Sequence, residues 1–465
     1  MQNTRAETDS LGIIEVPSEA LYGAQTARAV GNFPISGLKA NSFLIRALAM
    51  VKLAAAEANR ELGLISNEQG EAIVKAAEEV LGGKHHEHFA VDVFQAGAGV
   101  SLHMNANEVL ANRANQLLGE ELGSYAKVHP NDHVNYGQST NDVFPTAMRL
   151  SALLALEELY PVLEALAGSF AAKAEEFRDV LKAGRTHMQD AVPITLGQEL
   201  QAYAVAVRES AAAIRRGSAG LRALGLGGSA VGTGLNTHPA YREKAVIKLA
   251  RIAGVELHSA YDLRWAMQSC APMAEVSGAL RGLALEMIRI SNDLRLLSSG
   301  PNTGFNEIHL PSLQPGSSIM PGKVNPVLAE LTAMVGFQVV GNDTAVAMAV
   351  QAGQLELNVM MPTMAHNVLQ SITILTNTLR ELDVHCVRGI TVNRERAALY
   401  ASSTIALATA LNPYIGYRKA AELVKESVAT GRSIVELARE KKLLSEQQIA
   451  EILDPKKMTE PREKL

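Results

Sequence analysis

Three polar, glycine-containing segments interrupt an otherwise Ala- and Leu-rich chain, and they hold most of the residues able to do chemistry. The first, HPNDHVNYGQSTND at residues 129–142, ends in Ser139, Thr140, Asn141 and Asp142 just where a long apolar pattern begins. Free N–H groups and hydroxyls at a helix start can hold a carboxylate, while the same residue types are ordinary N-caps. Both readings stay open on the segment alone. The second, GRTHMQDAVPITLGQE at 184–199, sets Arg185, Thr186, His187, Gln189 and Asp190 before another long pattern. His187 is its candidate acid, base or hydrogen-bond donor, although a lone histidine more often serves structure. The third, QPGSSIMPGKVNP at 314–326, is made a loop by Gly316, Pro321, Gly322 and Pro326, yet it carries Ser317, Ser318 and Lys323 around an apolar centre. It is no P-loop, because five residues rather than four separate Gly316 from Gly322, and Val324 follows Lys323 where Ser or Thr is required. GLGGSAVGTGLN at 225–236 fails as a dinucleotide fingerprint, since it follows a helical pattern instead of a strand.

The elements that must position these segments are helices. Apolar residues recur at three- and four-residue spacing over 147–178, 196–223, 264–298, 328–350 and 364–389. Pro161 is expected to kink or break the first of these, because its ring removes a donor and crowds the preceding turn. Shorter helices are expected at 43–62 and 67–81, and again at 417–430 and 432–441. The fold class is therefore mainly α. An N-terminal domain is expected over 1–145, a central helical bundle over 146–393 and a small C-terminal helical domain over 394–465. Several central patterns are apolar on more than one side, which calls for burial in a bundle and against other subunits.

Composition agrees with this. The 465 residues are 47% apolar but only 4% aromatic, so the core is built from small aliphatic side chains that suit close-packed helices. A formal charge of -5 gives no basic excess to hold a polyanion, which argues against a nucleic-acid partner. MQNTRAETDS lacks the pattern of a secretory signal, and no uninterrupted apolar run approaches the ~18 residues of a membrane span. A cytoplasmic protein without membrane association is expected. Cys270 and Cys386 lie far apart, in no metal-like spacing. His85, His86 and His88 in GGKHHEH could bind a metal, but a solvated loop is the simpler reading, and no metal or cofactor is expected.

GSSIMPGKVNP resembles the signature of the aspartase/fumarase superfamily. The likeness extends in order through HPNDHVNYGQSTND, GRTHMQDAVPITLGQE, AVGTGLNTHP, SNDLRLLSSGP and QAGQLELNVM, over essentially the whole chain. It implies a three-domain, mostly helical subunit, a twenty-helix core in a homotetramer, and active sites each shared by three subunits. It also implies a reaction on a short dicarboxylic acid. Removing a weakly acidic C–H proton beside a carboxylate creates a doubly charged aci-carboxylate, which preorganised donors and a cation must hold as charge develops.

By this resemblance Ser317 is the base. Lys323 and Asn325 bind the α-carboxylate with Thr140, while Ser139, Thr140 and Ser318 hold the carboxylate that becomes the aci form. Asn141 and His187 face the departing group, Glu330 is similar to the glutamate that pairs with this histidine, and Thr186 and Ser101 belong to the substrate pocket. VDVFQAGAG, QSTND, GFNEI and QAGQLELNVM look closer to aspartases than to fumarases, which more often carry WQTGSGT and QSSND. The chain also departs from the superfamily near the expected pocket. Val100 stands where Thr is usual, His103 where Asn is usual, Tyr136 where Lys is common, and Asn302 where Arg follows SGP. Water addition, or a substituted aspartate or other four-carbon diacid, is the alternative these changes leave open.

Overall fold

The computed structural model describes residues 3–461, and among them helices dominate. An N-terminal hairpin pairs β1 (Thr4–Asp9) with β2 (Gly12–Pro17). It is followed by α1 (Ala24–Asn32), α2 (Ser42–Glu61), α3 (Asn67–Leu81), α4 (Val100–Leu117) and α5 (Thr140–Glu176). A second hairpin, β3 (Leu181–Thr186) with β4 (Gln189–Thr195), leads into α6 (Leu196–Gly217). Then come α7 (Tyr241–Ala253), α8 (Leu263–Gln268), α9 (Ala271–Leu297), α10 (Val327–Gln351), α11 (Met361–His385) and α12 (Arg394–Ser403), ahead of the short helices of the C-terminal end.

The local chemistry explains most boundaries. Asn41 caps α2 by accepting the Phe43 N–H at 2.9 Å, and Ser66 with Gln69 forms a reciprocal capping box on α3. Residues 264–298, expected as one helix, divide into α8 and α9. Pro272 sits in the first turn of α9, where its missing N–H costs nothing, whereas in one continuous helix it would leave the Gln268 carbonyl without a donor. Pro161 does not end α5, which runs unbroken through both Pro145 and Pro161. Leu156, Leu159, Leu163 and Leu166 flank Pro161 and are all buried, so apolar burial offsets the lost hydrogen bond.

Among the described residues two compact units form, one comprising 3–161, 211–284 and 336–376, the other 162–210, 285–335 and 377–461. Every boundary between them falls inside a helix. In the first unit α2 packs on α3 and α7, and α3 on α4. In the second, α12 packs on β3, and the C-terminal helices enclose a core of their own around Leu407, Leu423, Leu437 and Ile449.

Among the described residues one helix, α10, is long and apolar enough to cross a membrane by length and composition, although no continuous apolar run in the sequence suggested it. It carries Asn342 and Asp343, both buried. Asn342 donates to Ser371 Oγ at 3.0 Å, and Asp343 accepts from Ser277 Oγ and Arg281, each at 2.6 Å. Those partners make it a protein-packed helix over this stretch.

Candidate active site

In the first unit a pinned loop presents the start of α4. Asp92, 4% exposed, accepts from Ser36 N–H, Ser36 Oγ, Gly37 N–H and Phe94 N–H at 2.7 to 2.8 Å. Burial alone would push its carboxyl up, but the bonds from Phe94, Ser36 and Gly37 bring it down to about 2. Three successive residues, Gly97, Ala98 and Gly99, are left-handed, and a Cβ on Gly99 would lie 2.4 Å from the Phe144 ring. The turn delivers Val100, 40% exposed, and half-buried Ser101 at the N-terminus of α4, where Gln95 Oε1 caps the Leu102 N–H at 2.7 Å.

At the start of α5 the capping reading and the binding reading coexist. Ser139 Oγ accepts the Asn141 N–H at 3.2 Å, and the Ser139 N–H donates to Asp142 at 3.0 Å. An hydroxyl that accepts still has its own proton to donate. Fully buried Asp142 also accepts from the N–H groups of Gly227 (2.9 Å) and Ser229 (3.1 Å), while Asn141 Nδ2 donates to the Ala230 carbonyl at 2.8 Å. Residues 225–236 are thus the bracket that holds 139–142. Burial raises the Asp142 carboxyl to about 6 against those bonds and the nearby Lys52 charge. Lys52 is buried too, donating to Asn135 (2.8 Å) and Gln138 (3.0 Å). Thr140 Oγ1 lies 2.7 Å from His103 Nδ1.

In the second unit His187 and Met188 are the two turn residues between β3 and β4, with φ of 55° and 60°. Such a turn needs left-handed residues at both positions and ordinarily takes Asn-Gly. Holding His and Met there costs about 1–3 kcal/mol each, and it puts His187 at an exposed tip beside exposed Thr186. Arg185 anchors the hairpin, with its guanidinium 2.7 Å from buried Glu307 and 4.2 Å from the Phe305 ring centroid.

The 314–326 loop closes on itself. Gly316 N–H donates to Lys323 O, and Asn325 Nδ2 donates to Gly316 O, each at 2.7 Å. A Cβ at 316 would meet Lys323 O at 2.6 Å, so only glycine fits this neck. Within the closed loop Ser317 Oγ accepts two backbone N–H groups, Met320 at 2.9 Å and Ile319 at 3.2 Å. Lys323 and Asn325 line a cleft of about 1010 Å³ with Arg295, Ser298, Ser299 and His309.

Comparison with known proteins places this geometry. Residues 12–341 match the family described as Lyase, and residues 407–460 match the Fumarase C C-terminus. The chain belongs to this lyase family. It is similar to a Bacillus sp. protein named aspartate ammonia-lyase, 48% identical over 99% of this chain and 98% of that one. It is equally similar to a Halobacterium salinarum protein named fumarate hydratase class II, 49% identical over 98% and 97% of the two chains. Among solved structures, fumarate lyase:delta crystallin from Brucella melitensis bound to cobalt has a TM-score of 0.95 at 47% identity, covering 99% of this chain and 100% of that one. The protein is accordingly an enzyme of the lyase class with a mainly helical fold.

Within one copy of this lyase, Val100, Ser101, Ser139, Thr140 and Asn141 belong to the first unit, and Thr186, His187, Ser317, Ser318, Lys323, Asn325 and Glu330 to the second. Among the described residues no hydrogen bond joins His187 to Glu330, and both are exposed. The motifs quoted from the sequence did not single out buried Lys52 or Asp92, nor Arg295 and His309 on the cleft. Arg295 lies inside SNDLRLLSSGP and Asp92 inside VDVFQAGAG, so for both a signal was present. Lys52 had none, since a lone Lys in a helix looks ordinary until burial is known.

His85, Glu87 and His88 bring ligand atoms within 4.8 Å of one another. His85 Nε2 is bonded to Glu79 (3.0 Å), and His88 Nδ1 accepts the Leu21 N–H (3.4 Å), which leaves the ring proton of His88 on Nε2, the nitrogen facing Glu87 at 3.6 Å. In that tautomer His88 offers Glu87 a donor, whereas a metal ligand needs a free lone pair there.

Proposed function

We propose that this lyase eliminates ammonia from L-aspartate to give fumarate, reversibly, with Ser317 as the base. The observation that carries the reading is the pair of N–H groups on Ser317 Oγ. Donors aimed at that oxygen stabilise its deprotonated form more than its neutral form, and the Lys323 ammonium of the same loop adds to the field. Ser317 Oγ takes the proton from C3, and the electron pair passes into the adjacent carboxylate, which becomes the aci form. That pair then returns to make the C2–C3 double bond as the C2–N bond breaks and ammonia leaves.

The remaining roles divide by charge. Lys323, Asn325 and Thr140 hold the α-carboxylate. Ser139, Thr140 and Ser318 hold the carboxylate that takes up the aci charge, with Val100, Ser101 and Thr186 along the pocket. Asn141 and His187 face the leaving ammonia, and Glu330 partners His187. In one chain His187, Ser318, Lys323 and Glu330 are all exposed, which supports a homotetramer whose sites are each completed by three subunits. The strained turn under His187 supports a functional role, because left-handed non-glycine residues persist where function holds them.

A second reading, water addition to fumarate, draws on Val100. An isopropyl group offers an ammonium no acceptor, and the similarity to the Halobacterium protein named fumarate hydratase is as high as that to the Bacillus one. The test is ultraviolet absorbance of the conjugated diacid when the purified protein meets L-aspartate or L-malate. Growth of absorbance with aspartate supports ammonia release, growth with malate alone supports the hydratase reading, and silence with both defeats the two together.

A further inference from the structure

Buried His103 is the position where this chain replaces a small amide with an imidazole, and its surroundings constrain where the imidazole proton sits. Burial and the neighbouring Lys52 charge keep the ring neutral, so it has one N–H for two nitrogens. Nδ1 is 2.7 Å from Thr140 Oγ1, whereas Nε2 is buried without a hydrogen-bond partner among the described residues. Its polar neighbour Asn135 favours a proton on this ring, yet it makes no hydrogen bond to Nε2: its Oδ1 turns to the Lys52 ammonium at 2.8 Å and its amide nitrogen to the Gln138 carbonyl at 3.2 Å. A buried N–H left without an acceptor is costlier than a buried lone pair left without a donor. The ring proton therefore belongs on Nδ1, donated to Thr140 Oγ1.

We infer that His103 is a positioning residue that fixes the Thr140 hydroxyl as a hydrogen-bond donor to a substrate carboxylate. Once Thr140 Oγ1 accepts from His103, its own proton is directed to a third group, and an anionic oxygen is the strongest acceptor for it. In the opposite tautomer the Thr140 proton would be spent on Nδ1, and the hydroxyl could only accept from a bound amine. This rests on the reading of Thr140 as a carboxylate ligand.

The experiment measures KM and kcat for L-aspartate, together with the calorimetric Kd of succinate, an unreactive four-carbon diacid, on the full-length protein. Four variants are compared: H103L, H103N, T140V and the double variant H103L/T140V. We expect H103L to weaken succinate binding and raise KM by about tenfold with a smaller effect on kcat, and H103N, which keeps an N–H donor, to restore both. The double variant should bind succinate no worse than T140V, because both changes remove one interaction. Unchanged or tighter succinate binding in H103L, with T140V weakened, overturns the assigned tautomer. Additive losses, or no rescue by H103N in a variant that keeps the native unfolding temperature, reduce His103 to a packing role. Unaltered binding in T140V removes the carboxylate role of Thr140 itself and, with it, the inference.

Discussion

At Ser317 the obstacle is that an alcohol is a weak base until something stabilises its anion. In the proposed mechanism the two N–H groups that Ile319 and Met320 donate to its Oγ serve that purpose at a fixed geometry, with no reorganisation needed when the proton moves. Ser317→Ala should therefore lower kcat by about 10²–10⁴-fold while leaving succinate affinity and the unfolding temperature near those of the parent; steady-state kinetics and calorimetry check both. Val100→Thr restores the hydroxyl usual at that position and should raise kcat/KM for L-aspartate, by about 5- to 100-fold if one buried contact of about 1–3 kcal/mol is regained. An unchanged or lower value means that the pocket is arranged around another substrate. The types and order of Ser317, Lys323 and Asn325 were legible because they share one loop. The donors on Ser317 Oγ were not, since backbone direction within a Gly-Pro loop is not encoded in the residue types alone.

Asp92 shows what an element contributes to the site. Its four hydrogen bonds hold the turn that presents Val100, and its carboxyl sits at about 2 instead of the ordinary 3.8. With the folded value below the unfolded one, the stabilisation is present above pH 3.8 and is lost as the pH falls from 3.8 through about 2. The size is about 2 kcal/mol. Asp92→Asn should lower the thermal midpoint at pH 7, and the gap from the parent should narrow as the pH is taken from 4 towards 3; calorimetric scans across that range check it. Helix positions such as α2, α3, α10 and α11 were legible within a few residues because helical periodicity is local. The β3–β4 hairpin was not, because His187-Met188 lacks the Asn-Gly signal of a two-residue turn. The division at Pro272 was missed as well, since an apolar pattern continues across it.

At the scale of the whole molecule, α10 leaves Leu331, Met334, Phe337 and Met348 exposed in a single chain, Phe337 at 62%. A row of large apolar side chains on one helix fits the association surface that the proposed tetramer requires. Phe337→Asp should shift the proposed tetramer to smaller species in sedimentation velocity and remove activity with it, while far-ultraviolet circular dichroism stays helical. The sequence by itself determined a mainly helical chain, the approximate helix ranges and the three polar segments, because periodicity and loop composition act over a few residues. The tertiary structure alone decided that 225–236 brackets Asp142, that Lys52 and His103 are buried behind the start of α5, and that His187 sits on a strained turn. Those outcomes depend on which distant groups lose water together, and burial is a property of the packed chain that no short window contains.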